Sequence, residues 1–237
     1  MVRDSETNQI TGFTGTAALV VATPNIDGGV TFAPNGTLLF TQFSQNNLGQ
    51  VLLDDTYTTT DLTQYGVSSS VGSLAFVPTG FIGQGNLIIA SYNGDILYNI
   101  PYTISESGEY LLSDQTASVP LDGTAPGPEG ITYVPQGSEG FPNPSMIISS
   151  YGGGKVVAFD TNDLGLPIIS SARDIITELT GAEGALIDPV TGDFIFSTFG
   201  GGNRVIIMSG FENPNDCAGV PFGESILDDC EVCRLPN

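Results

Sequence analysis

Glu129 and Glu183 are the two residues whose type and position suggest shared chemistry. Each stands directly before a phrase of one form: Gly130-Ile131-Thr132-Tyr133-Val134-Pro135 and Gly184-Ala185-Leu186-Ile187-Asp188-Pro189. Two earlier phrases, Gly29-Val30-Thr31-Phe32-Ala33-Pro34 and Ser73-Leu74-Ala75-Phe76-Val77-Pro78, carry Gly28 and Gly72 at the matching place. Asp27 and Asp122 lie nearby in the preceding loops. Carboxylates converging from equivalent strands onto one axis would offer hard oxygen ligands to a divalent ion such as calcium. The competing reading leaves Glu129 and Glu183 facing solvent or capping turn amides.

What is missing narrows the chemistry further. The chain of 237 residues has no His and no Trp. Without His, Ser-His-Asp and Cys-His catalysis and His-ligated zinc or iron sites are excluded. The balance of 26 acidic to five basic residues, a net charge of −21, repels a nucleic-acid backbone and an anionic membrane surface. Cations are the partners it attracts, although such acidity also serves solubility alone. No apolar run is long enough to cross a membrane, and no basic, apolar leader stands at the N-terminus. An exported chain would therefore have shed its signal before residue 1.

The glycine-rich turns Gly152-Gly153-Gly154-Lys155 and Gly200-Gly201-Gly202-Asn203-Arg204 join strands rather than lead into a helix. They therefore read as hairpin turns, not as a phosphate-binding loop. Asn35-Gly36-Thr37 fits both a hairpin turn and a glycosylation acceptor.

The positioning elements follow from the repeat. Pro34, Pro78, Pro135 and Pro189 are spaced 44, 57 and 54 residues apart, a period typical of arrays of small antiparallel sheets. The fold class is therefore all-β, a β-propeller of about four recognisable blades over residues 1–211, with a tail at 212–237. Each phrase is followed by a second strand ending in an aromatic residue: Phe43, Tyr92, Tyr151 or Phe199. These strands are almost continuously apolar, as expected of sheets covered on both faces. Their aromatic ends are expected to pack between neighbouring sheets. Outer strands are expected at residues 58–62, 110–113 and 168–179, the last with a short helix at 172–179. The fourth unit lacks an outer strand, and the apolar run 17–23 could complete it and close the ring. Residues 8–13 also resemble a strand and would then be surplus. A larger ring, or strands donated by a neighbouring subunit, is the alternative.

The phrases Glu129–Pro135 and Asp188-Pro189-Val190-Thr191-Gly192-Asp193-Phe194-Ile195-Phe196 resemble blades of NHL-type and SMP-30/gluconolactonase-like β-propellers. That resemblance implies a central channel and, for the latter family, metal-assisted attack of water on a lactone or ester. It matches only the glutamates of that family's Glu, Asn and Asp set. The tail, with Asp216-Cys217, Asp228-Asp229-Cys230 and Cys233, resembles the Cys- and Asp-rich spacers akin to thrombospondin type 3 repeats. That likeness implies secretion or cell-surface display, calcium at Asp216, Asp228 and Asp229, and a disulfide. Cys217 would pair with Cys230 or Cys233 in an oxidising compartment. Cys230 and Cys233 lack the βαβ setting of a redox pair, and three thiols without His make a poor zinc site.

The reading these observations favour is a secreted or cell-surface, non-catalytic propeller serving as a calcium-dependent binding or structural module. Its partners would be other protein subunits or extracellular matrix components, and a homo-oligomer or filament is the related possibility. The alternative is a metal-dependent lactonase or esterase using Glu129 and Glu183.

Overall fold

The computed structural model describes residues 2–16, 18–22 and 25–210, together with the backbone of 226–227 and 233–234. A small hairpin, β1 (Val2–Arg3) and β2 (Ile10–Gly12), precedes the first of four sheets. Blade 1 contains β3 (Ile26–Phe32), β4 (Leu38–Gln42), β5 (Asn47–Val51) and β6 (Tyr57–Asp61) in simple meander order. Blade 2 has β7 (Val71–Phe76), β8 (Leu87–Ser91) and β9 (Ile96–Ile100). A hairpin of β10 (Tyr102–Ile104) and β11 (Tyr110–Leu112) then intervenes before the outer strand, β12 (Ala117–Pro120). Blade 3 is β13 (Pro128–Val134), β14 (Ser145–Ser150), β15 (Lys155–Asp160) and β16 (Arg173–Ile176). Blade 4 is β17 (Ala182–Ile187), β18 (Phe194–Thr198) and β19 (Val205–Met208). Two short tail strands, β20 (Ile226–Leu227) and β21 (Cys233–Arg234), pair with each other. The fold is a four-blade β-propeller, with β3, β7, β13 and β17 innermost.

Period-two alternation explains how the middle blades are held. On β8, Leu87 and Ile89 enter the core shared with blade 1, whereas Ile88 and Ala90 enter the core shared with blade 3. On β14, Met146 and Ile148 face blade 2 while Ile147 faces blade 4. All seven side chains are fully buried. Each buried Leu, Ile or Met stabilises by about 1.5–3 kcal/mol relative to exposure. The three buried clusters lie between blades 1 and 2, 2 and 3, and 3 and 4. The seam between blades 4 and 1 holds no such cluster among the described residues. There Val30, Phe32, Leu186 and Val205 are exposed. Two-sided burial thus holds for the middle blades and not for the terminal ones.

Several sequence expectations are corrected. Residues 18–22, the described part of the expected closing run, form no strand, and blade 4 keeps three strands. The strand-like segment at 8–13 instead supplies β2. Its hairpin is tied to blade 4 by a forked ion pair, Arg3 Nη1 to Asp188 Oδ2 at 2.6 Å and Nη2 to Oδ1 at 2.8 Å. Residues 110–113 are not the outer strand of blade 2. The Gln50 side chain exchanges two hydrogen bonds with the Tyr110 backbone, at 2.8 and 3.0 Å, so β11 is drawn onto blade 1 and β12 takes the edge of β9. The helix expected at 172–179 is replaced by β16, because the β15 edge offers a ladder that Arg173–Ile176 satisfies. The glycine-rich turns do join strands, and Lys155 pairs with Asp174 at 2.9 Å. Asn35 donates its amide to the Gly108 carbonyl and Thr37 is fully buried, so the acceptor triplet is engaged in packing.

The axis is crowded by backbone. A Cβ on Gly28 would collide with the Gly72 carbonyl, one on Gly72 with the Pro128 carbonyl, and one on Gly130 with the Glu183 carbonyl oxygen. Gly130→Ala should therefore force blades 3 and 4 apart and cost about 1–3 kcal/mol in urea unfolding. Gly12→Ala, where a Cβ meets nothing within 4 Å, should stay within about 0.5 kcal/mol of wild type.

Candidate functional site

The carboxylates reach the axis through backbone bulges at one level of the propeller. Pairing shifts register between Ile26 and Val30, Val71 and Ser73, Pro128 and Ile131, and Ala182 and Ala185. A bulge breaks the in-out alternation and re-aims the extra residue, a device common beside functional sites. The residues set free are Asp27-Gly28-Gly29, Gly72, Glu129-Gly130 and Glu183-Gly184. Hydroxyls on the second strands satisfy the displaced backbone. Thr41 Oγ1 accepts from the Gly29 amide at 2.8 Å and donates to the Asp27 carbonyl at 2.6 Å. Ser197 Oγ accepts from the Gly184 amide at 2.9 Å. Asp95 Oδ1 accepts from the Gly127 amide at 2.7 Å, fixing the approach to Glu129 from the neighbouring blade.

Three of the expected carboxylates are brought together. Glu129 is only 7% exposed, and its Oε2 is buried with no hydrogen-bond partner. Desolvation, and then the charges of Glu183 and Asp27, push its carboxyl up to about 8. Glu183 is half-buried, and its carboxyl is raised by desolvation and then by Asp27. Asp27 is exposed at the rim. Asp122 stands on an exposed turn and is not among the charges acting on Glu129 or Glu183. Asp216, Asp228, Asp229, Cys217 and Cys230 lie outside the described residues. Cys233 is described only as backbone of β21, so the tail likeness and its disulfide rest on sequence alone.

The strand-end aromatics join this mouth. The Tyr151 amide bonds the Gly127 carbonyl at 2.9 Å, and the Tyr92 amide bonds the Ser70 carbonyl at 2.6 Å, beside the starts of β13 and β7. Phe43 and Tyr92 meet edge-to-face at 5.3 Å between centroids, and Tyr92 and Tyr151 are tilted at 6.1 Å. These contacts bridge adjacent blades as expected for Phe43, Tyr92 and Tyr151, whereas Phe199, beside the seam without a core, is exposed. The Tyr92 phenol is raised by burial and then by the charges of Glu129, Tyr151 and Asp95. Its part in the site escaped the sequence reading, although the repeated strand-end aromatic was visible. The glycines adjoining the three carboxylates, Gly28, Gly130 and Gly184, line a cavity of about 340 Å³ together with Gly29 and apolar groups including Ile131 and Leu186.

Among the described residues, no three His, Cys, Asp or Glu side chains converge into a set able to hold a metal ion. The carboxylates share a field and not a coordination sphere. A partnerless buried oxygen flanked by like charges nevertheless creates a demand for positive charge.

No family model and no curated protein matches the chain. Solved structures do. A virginiamycin B lyase from Staphylococcus aureus shares 16% identity over 80% of this chain and 57% of its own, with a TM-score of 0.44. A regucalcin from Agrobacterium tumefaciens, described as a calcium-binding protein, shares 14% identity over 80% of this chain and 76% of its own, at a TM-score of 0.41. A 6-phosphogluconolactonase candidate from Bacteroides fragilis shares 12% over 83% and 60%, at 0.48. The chain thus spans less than two thirds of the lyase's length. Likeness at this level concerns the propeller fold. The expectation of a non-catalytic binding or structural module is nonetheless corrected. Two of these neighbours carry enzyme names, the lyase and the 6-phosphogluconolactonase candidate, and the channel mouth holds a buried carboxyl with a displaced proton affinity.

The displaced affinity fixes the sign of a stability effect. Glu129 in the unfolded chain loses its proton near its ordinary value of 4.5, while the folded protein keeps it to about 8. Stability therefore falls as pH rises across that window, by up to about 1.4 kcal/mol per unit. Glu129→Gln should match wild type in urea unfolding at about pH 4.5 and exceed it by a few kcal/mol at about pH 8.5. An equal difference at both values would contradict the burial of an ionisable group there.

Proposed function

We propose that this chain is a hydrolase of lactones or carboxylic esters, acting at the channel mouth with Glu129 as its acid–base group. The observation that carries the reading is the buried Glu129 carboxyl with its partnerless oxygen, on the residue preceding Gly130, which lines a cavity of about 340 Å³. In a chain without His, a carboxyl whose affinity is shifted toward neutrality is the available substitute for an imidazole base. Ionised Glu129 takes a proton from water as the oxygen adds to the substrate carbonyl carbon. The tetrahedral intermediate then expels its alkoxide oxygen, which takes the proton back from Glu129. The products are an alcohol and a carboxylic acid that gives its proton to solvent, joined in one molecule when the substrate is a lactone. Tyr92 keeps its phenolic proton throughout, because its own affinity is raised, and is a neutral donor near this carboxyl.

Calcium enters this proposal in a limited form. Glu129, Glu183 and Asp27 do not make a ready coordination set, so no step is assigned to an ion. Their combined field favours a loosely held, hydrated divalent cation, which would lower the proton affinity of Glu129.

The test is a screen of small neutral lactones and esters, with and without calcium. Glu129→Gln should lower kcat/KM by about 10²–10⁴-fold. Glu183→Gln removes one of the charges that raise Glu129, so the rising, acid-side limb of the pH–rate profile should move to lower pH. Full activity in Glu129→Gln, or no turnover of any lactone or ester, overturns the proposal.

A further inference from the structure

We infer that the ligand of this mouth is a small organic cation with an apolar body, such as an ester bearing a quaternary ammonium group. The inference names a substrate class for the hydrolase proposed above and rests on that reading for turnover, though not for binding. Three independent features meet here. First, Glu129 Oε2 is buried without a partner in a residue only 7% exposed, at the level where the bulges deliver Asp27 and Glu183. No basic side chain is among the groups acting on Glu129 or Glu183, so a counter-charge for their ionised forms comes from outside the protein.

Second, the rim is aromatic. Phe43, Tyr92 and Tyr151 stand in series across three blades, each only partly buried. Aromatic faces beside carboxylates attract cations whose charge is spread over carbon, because the weakly hydrated head gives up little solvation. A small, strongly hydrated metal ion gains less from such a rim and finds no ready ligand set. Third, the cavity below is lined mainly by backbone glycines and apolar side chains. An alkyl body fits that lining, whereas a sugar would leave its hydroxyls poorly matched. An anionic substrate is disfavoured twice, by the three carboxylates and by the net charge of −21.

The experiment compares acetylcholine with its neutral isostere, in which carbon replaces the nitrogen, and follows binding of tetramethylammonium by tyrosine fluorescence and calorimetry. The cationic ester should show a kcat/KM about ten-fold or more above the isostere. Tetramethylammonium should bind saturably and compete with it. Tyr92→Leu should lower that preference several-fold, and Glu183→Gln should weaken tetramethylammonium binding. Turnover of both esters at equal rates, with no ammonium binding, overturns this inference and leaves the hydrolase reading standing. Saturable ammonium binding without turnover of either ester or of any compound in the lactone and ester screen supports the inference and removes the hydrolase reading. Neither binding nor any such turnover removes both.

Discussion

The close approach of four backbones around one axis is the constraint from which the remaining structure follows. At the level of Gly28, Gly72 and Gly130, the next strand's carbonyl occupies the space that a side chain would need. Only glycine permits that spacing, and the spacing sets the distance between the residues carried beside it. Glu129, Glu183 and Asp27 consequently act on one another as charges. A wider ring would leave Glu129 and Glu183 better solvated and farther from like charge. Here sequence acts on chemistry through backbone geometry: small residues narrow the axis, and burial first, with like charge second, withholds a proton.

The distribution of packing explains why the three carboxylates differ. Glu129 belongs to blade 3, which is covered on both faces by buried clusters. Glu183 and Asp27 belong to blades 4 and 1, which border the seam without a core. Exposure follows this order, from Glu129 buried, through Glu183 half-buried, to Asp27 exposed. Desolvation is accordingly the leading cause of the Glu129 shift, with like charge second. The terminal blades keep their places through shared clusters on one side. Blade 4 is also held by the Arg3 fork on Asp188, whose carboxyl lies below the ordinary aspartate range chiefly through that hydrogen bond.

The inner half of each blade was legible because its determinants are local. A proline-terminated phrase, an apolar second strand and a glycine turn recur within each unit, and the corresponding strands formed. The outer half was not legible, because its strands are chosen by competition for an edge. Tyr110 has the look of an outer strand but is captured by Gln50, sixty positions earlier, which no local pattern reports. The segment after Ala172 has helical composition, yet Val156 and Ala158 offer it a strand partner. At the site, the matched positions of Glu129 and Glu183 could be read from the phrases. The bulge that aims them, the Asp95 bond to Gly127 and the exclusion of Asp122 depend on contacts between units.

A buried carboxyl without a partner works against folding, and its burial has to be offset elsewhere. The offset lies in the three inter-blade clusters, whose many fully buried side chains supply far more than one proton affinity removes. The location of the strain is informative. It lies at the axis, where Gly28, Gly130 and Gly184 line a cavity and the same carboxyl acts on Tyr92. Local cost set on a well-packed frame is the usual signature of a site arranged for a ligand. A positive group entering this mouth would meet Glu129 already desolvated and would favour loss of its proton, forming the ion pair. The feature that weakens the empty fold is thus the one that would strengthen the occupied one.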